Sequence, residues 1–186
     1  MLVCLLLGLG VLGGIFLVPQ GAKFFCTPAW QKRYKYSIFV LYTGSVLWLT
    51  LGNRVGREIT KIRFQPFYVF RQMLNCWFGF KKISVSTCRA VFGNSTHLFD
   101  SWHASPVEDL LLNIILFVPF GFLLPYLWPR FNFYRTLLIG FVVSCSIELT
   151  QYLAQWGCVD IDDVFNDTLG VCLGYACWAI YKRVAR

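Results

Sequence analysis

Acidic and amide side chains recur at helical spacing in three otherwise apolar stretches of the second half of the chain. The first stretch contains Asp109 and Asn113, the second contains Ser144, Glu148, Gln151 and Gln155, and the third contains Asp163, Asn166 and Asp167. Spacings of three, four, seven and eleven residues place each group on one side of a helix. Carboxylates and amides that converge in this way can bind a cation, exchange a proton or bind a ligand rich in hydrogen-bond donors.

Two interpretations of these polar residues remain open. Asn and Gln side chains can hydrogen-bond one transmembrane helix to another, which accounts for the amides. A structural role accounts less well for Glu148 and the aspartates, because their own stretches contain no base that could pair with them. We therefore predict a ligand-binding pocket formed by Asn113, Glu148, Gln151, Asp160, Asp163, Asn166 and Asp167.

The same carboxylates could also perform chemistry. Glu148 and Asp163 could act as a catalytic carboxylate pair on a lipid or polyprenyl-linked substrate, with or without a divalent metal. However, no serine, cysteine or histidine on the three polar faces stands in a nucleophile–base arrangement. The sequence therefore favours a non-enzymatic role, and it predicts neither a metal site nor a cofactor.

The run VDIDDVFNDTLG at residues 159–170 has a structural explanation only in part. Asp160 can cap a helix whose third position is Asp163, and acids in a first helical turn complement the helix dipole. Asn166 and Asp167 lie beyond the reach of a cap. An ionised Asp167 at that depth needs water, a proton or a base such as Arg54, Arg57 or Arg63. We expect it to line an open, hydrated cavity.

Composition places these residues in an all-α integral membrane protein. Hydrophobic residues make up 57% of the 186-residue chain and charged residues only 14%, whereas soluble domains average about a quarter charged. The net charge of +8 comes from bases between apolar runs, which is typical of membrane flanks on anionic lipid and not of a nucleic-acid footprint. A bundle of about five transmembrane helices is predicted, at Met1–Val18, Tyr36–Leu51, Leu110–Trp128, Thr136–Tyr152 and Val164–Tyr181.

The spans divide the chain into three parts. Residues 1–51 contain two N-terminal spans, residues 52–109 form a basic, aromatic-rich outer loop, and residues 110–186 form a three-helix core with a short basic tail. Within the loop, residues 63–82 could form an interfacial helix with its rings in the bilayer and its bases on anionic lipid. A folded loop packed on the bundle is the alternative.

The distribution of bases predicts the orientation of the chain. Bases cluster in residues 19–35, 129–135 and 182–186, whereas residues 153–163 contain three acids and no base. Because cytoplasmic connections are enriched in Lys and Arg, the N-terminus is expected outside and the C-terminus in the cytoplasm. The first span lacks a basic segment before it, so an uncleaved span is expected instead of a signal peptide.

Three of the eight cysteines fall in segments predicted to face outward. These are Cys76, Cys88 and Cys158, and one disulfide among them is possible. No C-x-x-C pair occurs, which argues against a zinc or thioredoxin-type site.

The order of motifs resembles the VanZ-like family of bacterial membrane proteins. The resemblance rests on NIILFVPFGFLLP at residues 113–125, IELTQ at 147–151 and DIDDVFNDTLGVCLG at 160–174, and it covers about residues 105–181. Gln65-Pro66-Phe67 is similar to the short Pro-Phe element that members carry before the helical core. Many members carry an arginine shortly before the first aspartate, where this chain has Gly157-Cys158-Val159.

The resemblance implies a multi-pass protein of the bacterial plasma membrane. It also implies a role in envelope properties or in resistance to teicoplanin-type glycopeptides, with which the family's namesake is associated. The expected partner of the pocket is a membrane lipid or a lipid-linked cell-wall precursor, and anionic lipid is expected at the basic flanks. The oligomeric state stays open.

Overall fold

A computed structural model describes residues 28–52, 61–63, 65–78, 106–156 and 158–184, together with the single residues Gly10 and Val55. Its elements are α1 (Pro28–Thr50), β1 (Lys61–Arg63), α2 (Tyr68–Phe78), α3 (Pro106–Leu127), α4 (Phe133–Ala154), β2 (Cys158–Asp160) and α5 (Ile161–Val184). The described part of the chain is therefore almost entirely helical, as predicted, apart from one short pair of strands. The predicted outer loop contains β1 and α2, and its residues 79–105 lie outside the described residues.

Two of the described helices are long and apolar enough to cross a membrane, at Val107–Leu127 and Phe133–Ala154. They correspond to the third and fourth predicted spans. Helices α1 and α5 coincide with the second and fifth predicted spans but extend into charged flanks, which include Lys32 and Lys35 in α1 and Asp162 and Asp163 in α5. The first predicted span, apart from Gly10, lies outside the described residues.

Helices α3 and α5 run parallel and approach each other at three glycines. A Cβ atom added at Gly170 would lie 2.3 Å from the carbonyl oxygen of Ile114, and one added at Gly174 would lie 2.0 Å from that of Val118. From the α3 side, a Cβ atom at Gly121 would lie 2.1 Å from the carbonyl oxygen of Val171. The two backbones are therefore in direct contact, as small-residue seams between membrane helices allow.

Helix α4 joins this pair through Val171, which is fully buried. A Cβ atom added at Gly140 would lie 2.5 Å from a methyl group of Val171, so the valine occupies the space that this glycine leaves. The same core contains Phe117 and Leu123 from α3 and Tyr42 and Val46 from α1. Helix α4 also has an apolar outer face that includes Leu138, Phe141 and Leu153.

Helix α3 continues through both of its internal prolines to Leu127. Pro119 and Pro125 are fully buried, and each removes a backbone donor from the helix. In the turn before Pro119, the hydroxyl group of Tyr42 donates a hydrogen bond to the carbonyl oxygen of Leu116. Helix α1 is thereby bonded to the backbone of α3 in the middle of the bundle.

One end of the bundle, here called the basic end, combines aromatic rings with bases. The ring of Trp128 contacts the rings of Tyr36 and Phe39 at centroid distances of 5.3 and 5.2 Å. The ammonium group of Lys35 lies 4.7 Å from the ring centre of Tyr126. These contacts place the start of α1 beside the end of α3. The bases at this end are Lys32, Arg33, Lys35, Arg130, Arg135, Lys182 and Arg183.

The opposite end, here called the acidic end, contains the end of α4 and the start of α5. Its acids are Glu108, Asp109, Glu148, Asp160, Asp162, Asp163 and Asp167. The strands β1 and β2 pair in parallel here, with Ile62 opposite Val159 and Arg63 opposite Asp160. Cys76 in the last turn of α2 is disulfide-bonded, and Cys145, Cys172 and Cys177 are free. A pairing of Cys76 with Cys88 or Cys158 stays a prediction.

Candidate functional site

Asp160 caps α5, as the sequence predicted. The helix begins at Ile161, and the Oδ1 atom of Asp160 accepts a hydrogen bond of 3.1 Å from the backbone amide of Asp162. The amide two residues past a cap is one of the donors that a helix leaves without an internal partner. This bond accounts for part of the acidic run, and Asp160 is 6% exposed.

Asp162 joins α5 to α2, a role that was not predicted from the sequence. Its Oδ1 atom accepts a hydrogen bond of 2.5 Å from the amide of Phe67, and its Oδ2 atom accepts one of 3.3 Å from the amide of Val69. Both amides belong to the start of α2, so a carboxylate from a segment 95 residues away takes the place of a local cap. The only sequence signal was an acid in the first turn of α5, which is also what the helix dipole favours.

The backbone of Phe67 adopts a left-handed conformation, with φ of 57°. This conformation costs a bulky residue about 1–2 kcal/mol. Two contacts hold it in place: the amide bond to Asp162 and a ring contact with Phe165 at a centroid distance of 4.8 Å. The start of α2 is therefore fixed to α5 by both a backbone and a side-chain contact.

Glu148 ties α4 to the second strand. Its Oε2 atom accepts a hydrogen bond of 3.0 Å from the backbone amide of Asp160. Glu148 and Asp160, two of the four acids of the predicted pocket, are thus neighbours at the point where the chain turns from α4 into α5.

Gln151 is fully buried and binds the end of α1. Its Nε2 atom donates a hydrogen bond of 2.9 Å to the carbonyl oxygen of Thr50. The last carbonyl groups of a helix have no internal donor, so the amide satisfies one of them at the terminus of α1. This is the helix-joining role that an amide in a bundle can have.

Asp167 is buried between α4 and α5, and the open, hydrated cavity expected beside it stays a prediction. The side chain is 6% exposed, and its Oδ2 atom accepts a hydrogen bond of 2.6 Å from the hydroxyl group of Ser144, which is itself fully buried. The carboxylate is accommodated in the interior because a facing helix supplies a donor. Ser144 stood on the predicted polar face of α4, so its spacing carried this signal.

The three remaining predicted residues are half-buried. Asn113 lies in the second turn of α3, and Asp163 and Asn166 lie in the first two turns of α5. Since α3 and α5 run parallel, all three belong to the acidic end. The structure thus brings the seven predicted residues to one end of the bundle, but it gives them different surroundings.

A groove of about 430 Å³ opens between the end of α4 and the start of α5. Glu148 and Asp160 are the predicted residues in its wall, and the other lining residues are Cys145, Leu149, Tyr152, Val159, Ile161 and Val164. The wall is therefore mostly apolar with two carboxylates at one place. Leu149 and Tyr152 also belong to the exposed face of α4, so the groove opens sideways along that helix.

Metal ligation has no support in the described part of the chain. No group of three or more His, Cys, Asp or Glu side chains among those residues is placed to hold a metal ion. The carboxylates instead accept hydrogen bonds from backbone amides and a hydroxyl group.

The family model for VanZ/LLP1 matches residues 38–182, which is most of the chain. The protein belongs to the VanZ/LLP1 family. The match starts at Ile38 and so includes α1, whereas the motifs alone indicated a resemblance over about residues 105–181. VanZ/LLP1 membership together with the two apolar helices points to a membrane protein.

A curated relative of this VanZ/LLP1 protein is the Protein VanZ of Enterococcus faecium. The two are 31% identical over 76 residues, which are 41% of this chain and 47% of the relative. The aligned part therefore spans about half the length of the curated relative. No solved structure matches the chain.

Proposed function

We propose that the chain is a multi-pass protein of the bacterial plasma membrane whose acidic end faces outside and whose C-terminus is cytoplasmic. Two observations support this orientation. The bases of α1, of the α3–α4 connection and of the end of α5 all lie at the basic end, and such bases are enriched on the cytoplasmic side of membranes. The disulfide at Cys76 lies on α2, whose start is bound to the acidic end, and disulfides persist in oxidising compartments outside the cytoplasm.

In this orientation the groove at Glu148 and Asp160 binds an amphiphilic ligand of the outer leaflet. Its apolar wall suits an acyl or polyprenyl chain, and its two carboxylates suit a head group with hydroxyl or amine donors. The groove opens along the exposed face of α4, so a lipid can enter it from the bilayer without crossing water. A membrane lipid or a lipid-linked cell-wall precursor has this chemistry, and binding it would alter envelope properties such as tolerance of teicoplanin-type glycopeptides.

The groove is the observation that carries this proposal, and two of the other predicted residues have structural partners. Gln151 binds Thr50, and Asp167 binds Ser144. Among the described residues, Glu148 and Asp160 combine such bonds with a place in the groove wall. The proposed groove therefore uses two of the seven predicted residues, and the full seven-residue pocket stays a prediction.

Binding without chemistry is preferred to an enzymatic role. A catalytic pair of Glu148 and Asp163 would have to face one substrate, and the described groove wall contains Asp160 instead of Asp163. Glu148 also accepts a backbone hydrogen bond that holds the second strand, which suits a fixed acceptor better than a group that must gain and lose a proton in each cycle.

The direct test fills the groove without touching its carboxylates. Leu149→Trp places a large ring in the groove wall, and Leu153→Trp is the matched control, since Leu153 lies one turn further on the same exposed face and outside the groove lining. Both residues are exposed, at 57% and 72%, so neither change disturbs the core. We expect Leu149→Trp to abolish teicoplanin tolerance in a host that depends on the protein, and to remove a lipid that mass spectrometry detects after mild detergent extraction.

The Glu148→Gln variant tests the role of the negative charge of Glu148 separately from the role of its hydrogen bond. The amide oxygen can still accept from the backbone of Asp160, so the protein should fold, while the negative charge in the groove is lost. We expect normal expression and thermal stability together with lost tolerance. Full tolerance in both Leu149→Trp and Glu148→Gln at normal expression would refute the groove as the functional site.

A further inference from the structure

Helix α2 has an exposed aromatic face that no other described element covers. At 100° per residue, Phe70, Leu74, Trp77 and Phe78 fall within an arc of about 100°. Phe70, Trp77 and Phe78 are 51%, 74% and 64% exposed. The opposite side of the helix contains Val69, which is buried, and the disulfide-bonded Cys76. We call the four residues at positions 70, 74, 77 and 78 the aromatic face.

The sequence of the segment that contains α2 has charges of one sign. Residues 61–82 contain Lys61, Arg63, Arg71, Lys81 and Lys82 and no acid. Arg71 is exposed at the border of the aromatic face. The segment therefore contrasts with the acidic residues of α4 and α5 to which it is attached, and its charge is complementary to a surface of phosphate groups.

The attachment of α2 fixes its level in the bundle. Asp162 in the first turn of α5 accepts hydrogen bonds from the first amides of α2. The ring of Phe67 lies on the ring of Phe165, which is itself exposed on the outer side of α5. The start of α2 is thus placed at the level of the first turns of α5, where the acidic run of that helix gives way to its apolar part.

We propose that α2 lies along the boundary between head groups and acyl chains of the bilayer, with its aromatic face among the lipid chains and Arg71 on anionic head groups. Large exposed rings on one side of a short helix with basic flanks are the features of a helix that binds in the interface, about 5–10 Å into the head-group boundary. An exposed apolar patch on a membrane protein at this level is covered by lipid without any further partner.

A second copy of the chain fits this face less well. A symmetric pair would bring the same surface from both copies together, and the exposed Arg71 at the border of the aromatic face would then lie close to its copy. Like charges placed opposite each other in an interface oppose association. An anionic bilayer surface has the opposite charge.

The proposal is tested by quenching of tryptophan emission in the full-length chain. The protein is reconstituted into vesicles of phosphatidylcholine and phosphatidylglycerol, with or without bromine on the acyl chains near the head group. The difference in quenched emission between the unchanged chain and Trp77→Phe gives the contribution of Trp77. Trp178→Phe is the matched control, since Trp178 is only 9% exposed and lies inside the bundle.

We expect brominated lipid to remove roughly half or more of the emission of Trp77, as for a ring at interfacial depth. The quenched fraction of the whole protein should therefore fall in Trp77→Phe and rise in Trp178→Phe. Acrylamide in the water phase should reach Trp77 weakly. In vesicles of phosphatidylcholine alone, the quenching of Trp77 should decrease because the bases lose their partner charge.

Three results would overturn the proposal. If acrylamide quenches the emission of Trp77 and brominated lipid does not, the aromatic face lies in water. Protection from both quenchers would mean that protein, such as a second copy, covers it. Equal quenching with and without phosphatidylglycerol would refute the anionic partner. None of these results concerns the groove, so this proposal and the proposed function can fail separately.

Discussion

The two ends of the bundle are held together by different kinds of contact. At the basic end, rings pack on rings, and the ammonium groups of Lys35 and Lys182 lie 4.7 and 4.9 Å from ring centres. At the acidic end, side chains bind the backbone of segments that are distant in sequence. Gln151 binds Thr50 across 101 residues, and Asp162 binds Phe67 across 95 residues.

This difference matters because the two kinds of contact respond differently to change. Ring–ring and cation–ring contacts form over a range of distances and angles, so neighbouring side chains can replace a lost partner. A hydrogen bond to a buried backbone group is directional, and its loss leaves that group unsatisfied. The basic end should therefore tolerate substitution, whereas the acidic end should be sensitive to single changes. The acidic end is also where a groove lies beside the hydrogen-bonded residues.

The largest effect is expected from the glycine seam, which is the contact of α3 with α5 at Gly121, Gly170 and Gly174. This seam holds both ends of the bundle to a common centre. In Gly174→Ala the added methyl group would lie 2.0 Å from the carbonyl oxygen of Val118 and 2.9 Å from the amide nitrogen of Phe122. Because both atoms are backbone, α3 and α5 must separate, at a cost of about 3 kcal/mol or more. Thermal unfolding in detergent measures this cost.

Gly44→Ala is the matched control for the seam. Gly44 lies inside α1, and a Cβ atom added there meets nothing within 4 Å. This change should stabilise the protein by about 0.5–1 kcal/mol, since alanine favours a helix over glycine. Equal thermal stability of Gly174→Ala and Gly44→Ala would contradict the backbone contact between α3 and α5 at Gly174.

The next effect concerns the buried pair of Ser144 and Asp167. Ser144→Ala should cost about 2 kcal/mol, the range for a hydrogen bond to a carboxylate. In Asp167→Leu the same serine change should cost little, because the acceptor is already gone. Asp167→Asn keeps an acceptor oxygen and should be milder than Asp167→Leu. Thermal unfolding of the double-mutant cycle measures the coupling, and a serine cost that is independent of residue 167 would disprove it.

A smaller, local effect is expected at Asp162. Asp162→Ala removes the acceptor at the start of α2, and loss of such a cap costs about 1 kcal/mol. The amides of Phe67 and Val69 should then exchange with solvent deuterium much faster, while α3 and α4 keep their protection. Asp162→Asn retains an oxygen acceptor and serves as the control. Unchanged exchange in Asp162→Ala would show that the disulfide and ring contacts alone hold α2.

The smallest effect is expected at the basic end. Lys35→Gln removes the ammonium group over Tyr126, and a cation–ring contact at an exposed site contributes about 0.5–1 kcal/mol. Thermal stability in detergent should therefore fall by less than in Ser144→Ala. A larger loss for Lys35→Gln than for Ser144→Ala would reverse the proposed contrast between the ends.

The helices, and the end of the bundle at which their polar residues meet, could be predicted because both depend on local patterns. The bounds of α3, α4 and α5 differ from the predicted spans by at most four residues, and the cap at Asp160 follows from an acid next to an apolar run. Helix α1 begins eight residues before the predicted Tyr36, because the helix continues through bases that a hydropathy criterion excludes.

The long-range partners could not be predicted in the same way. The pairing of β1 with β2 joins segments of three residues each that are about a hundred positions apart, and neither has a strand-like pattern of its own. The role of Asp162 depends on where α2 begins, which no residue of α5 indicates. For Asp167, the serine at the right spacing was present in the sequence, but whether a donor or water meets a carboxylate depends on how closely the helices pack.

The central claim is that the acidic end, with its groove, faces outside. Gln65→Cys places a thiol at an exposed position beside α2, and Val184→Cys places one at an exposed position at the basic end. Each variant is treated with a membrane-impermeant maleimide on intact cells and after lysis, and the unsubstituted chain gives the background from native thiols. We expect Gln65→Cys to label on intact cells and Val184→Cys to label only after lysis. Labelling of Val184→Cys on intact cells, with Gln65→Cys protected until lysis, would contradict the claim and place the groove on the cytoplasmic side.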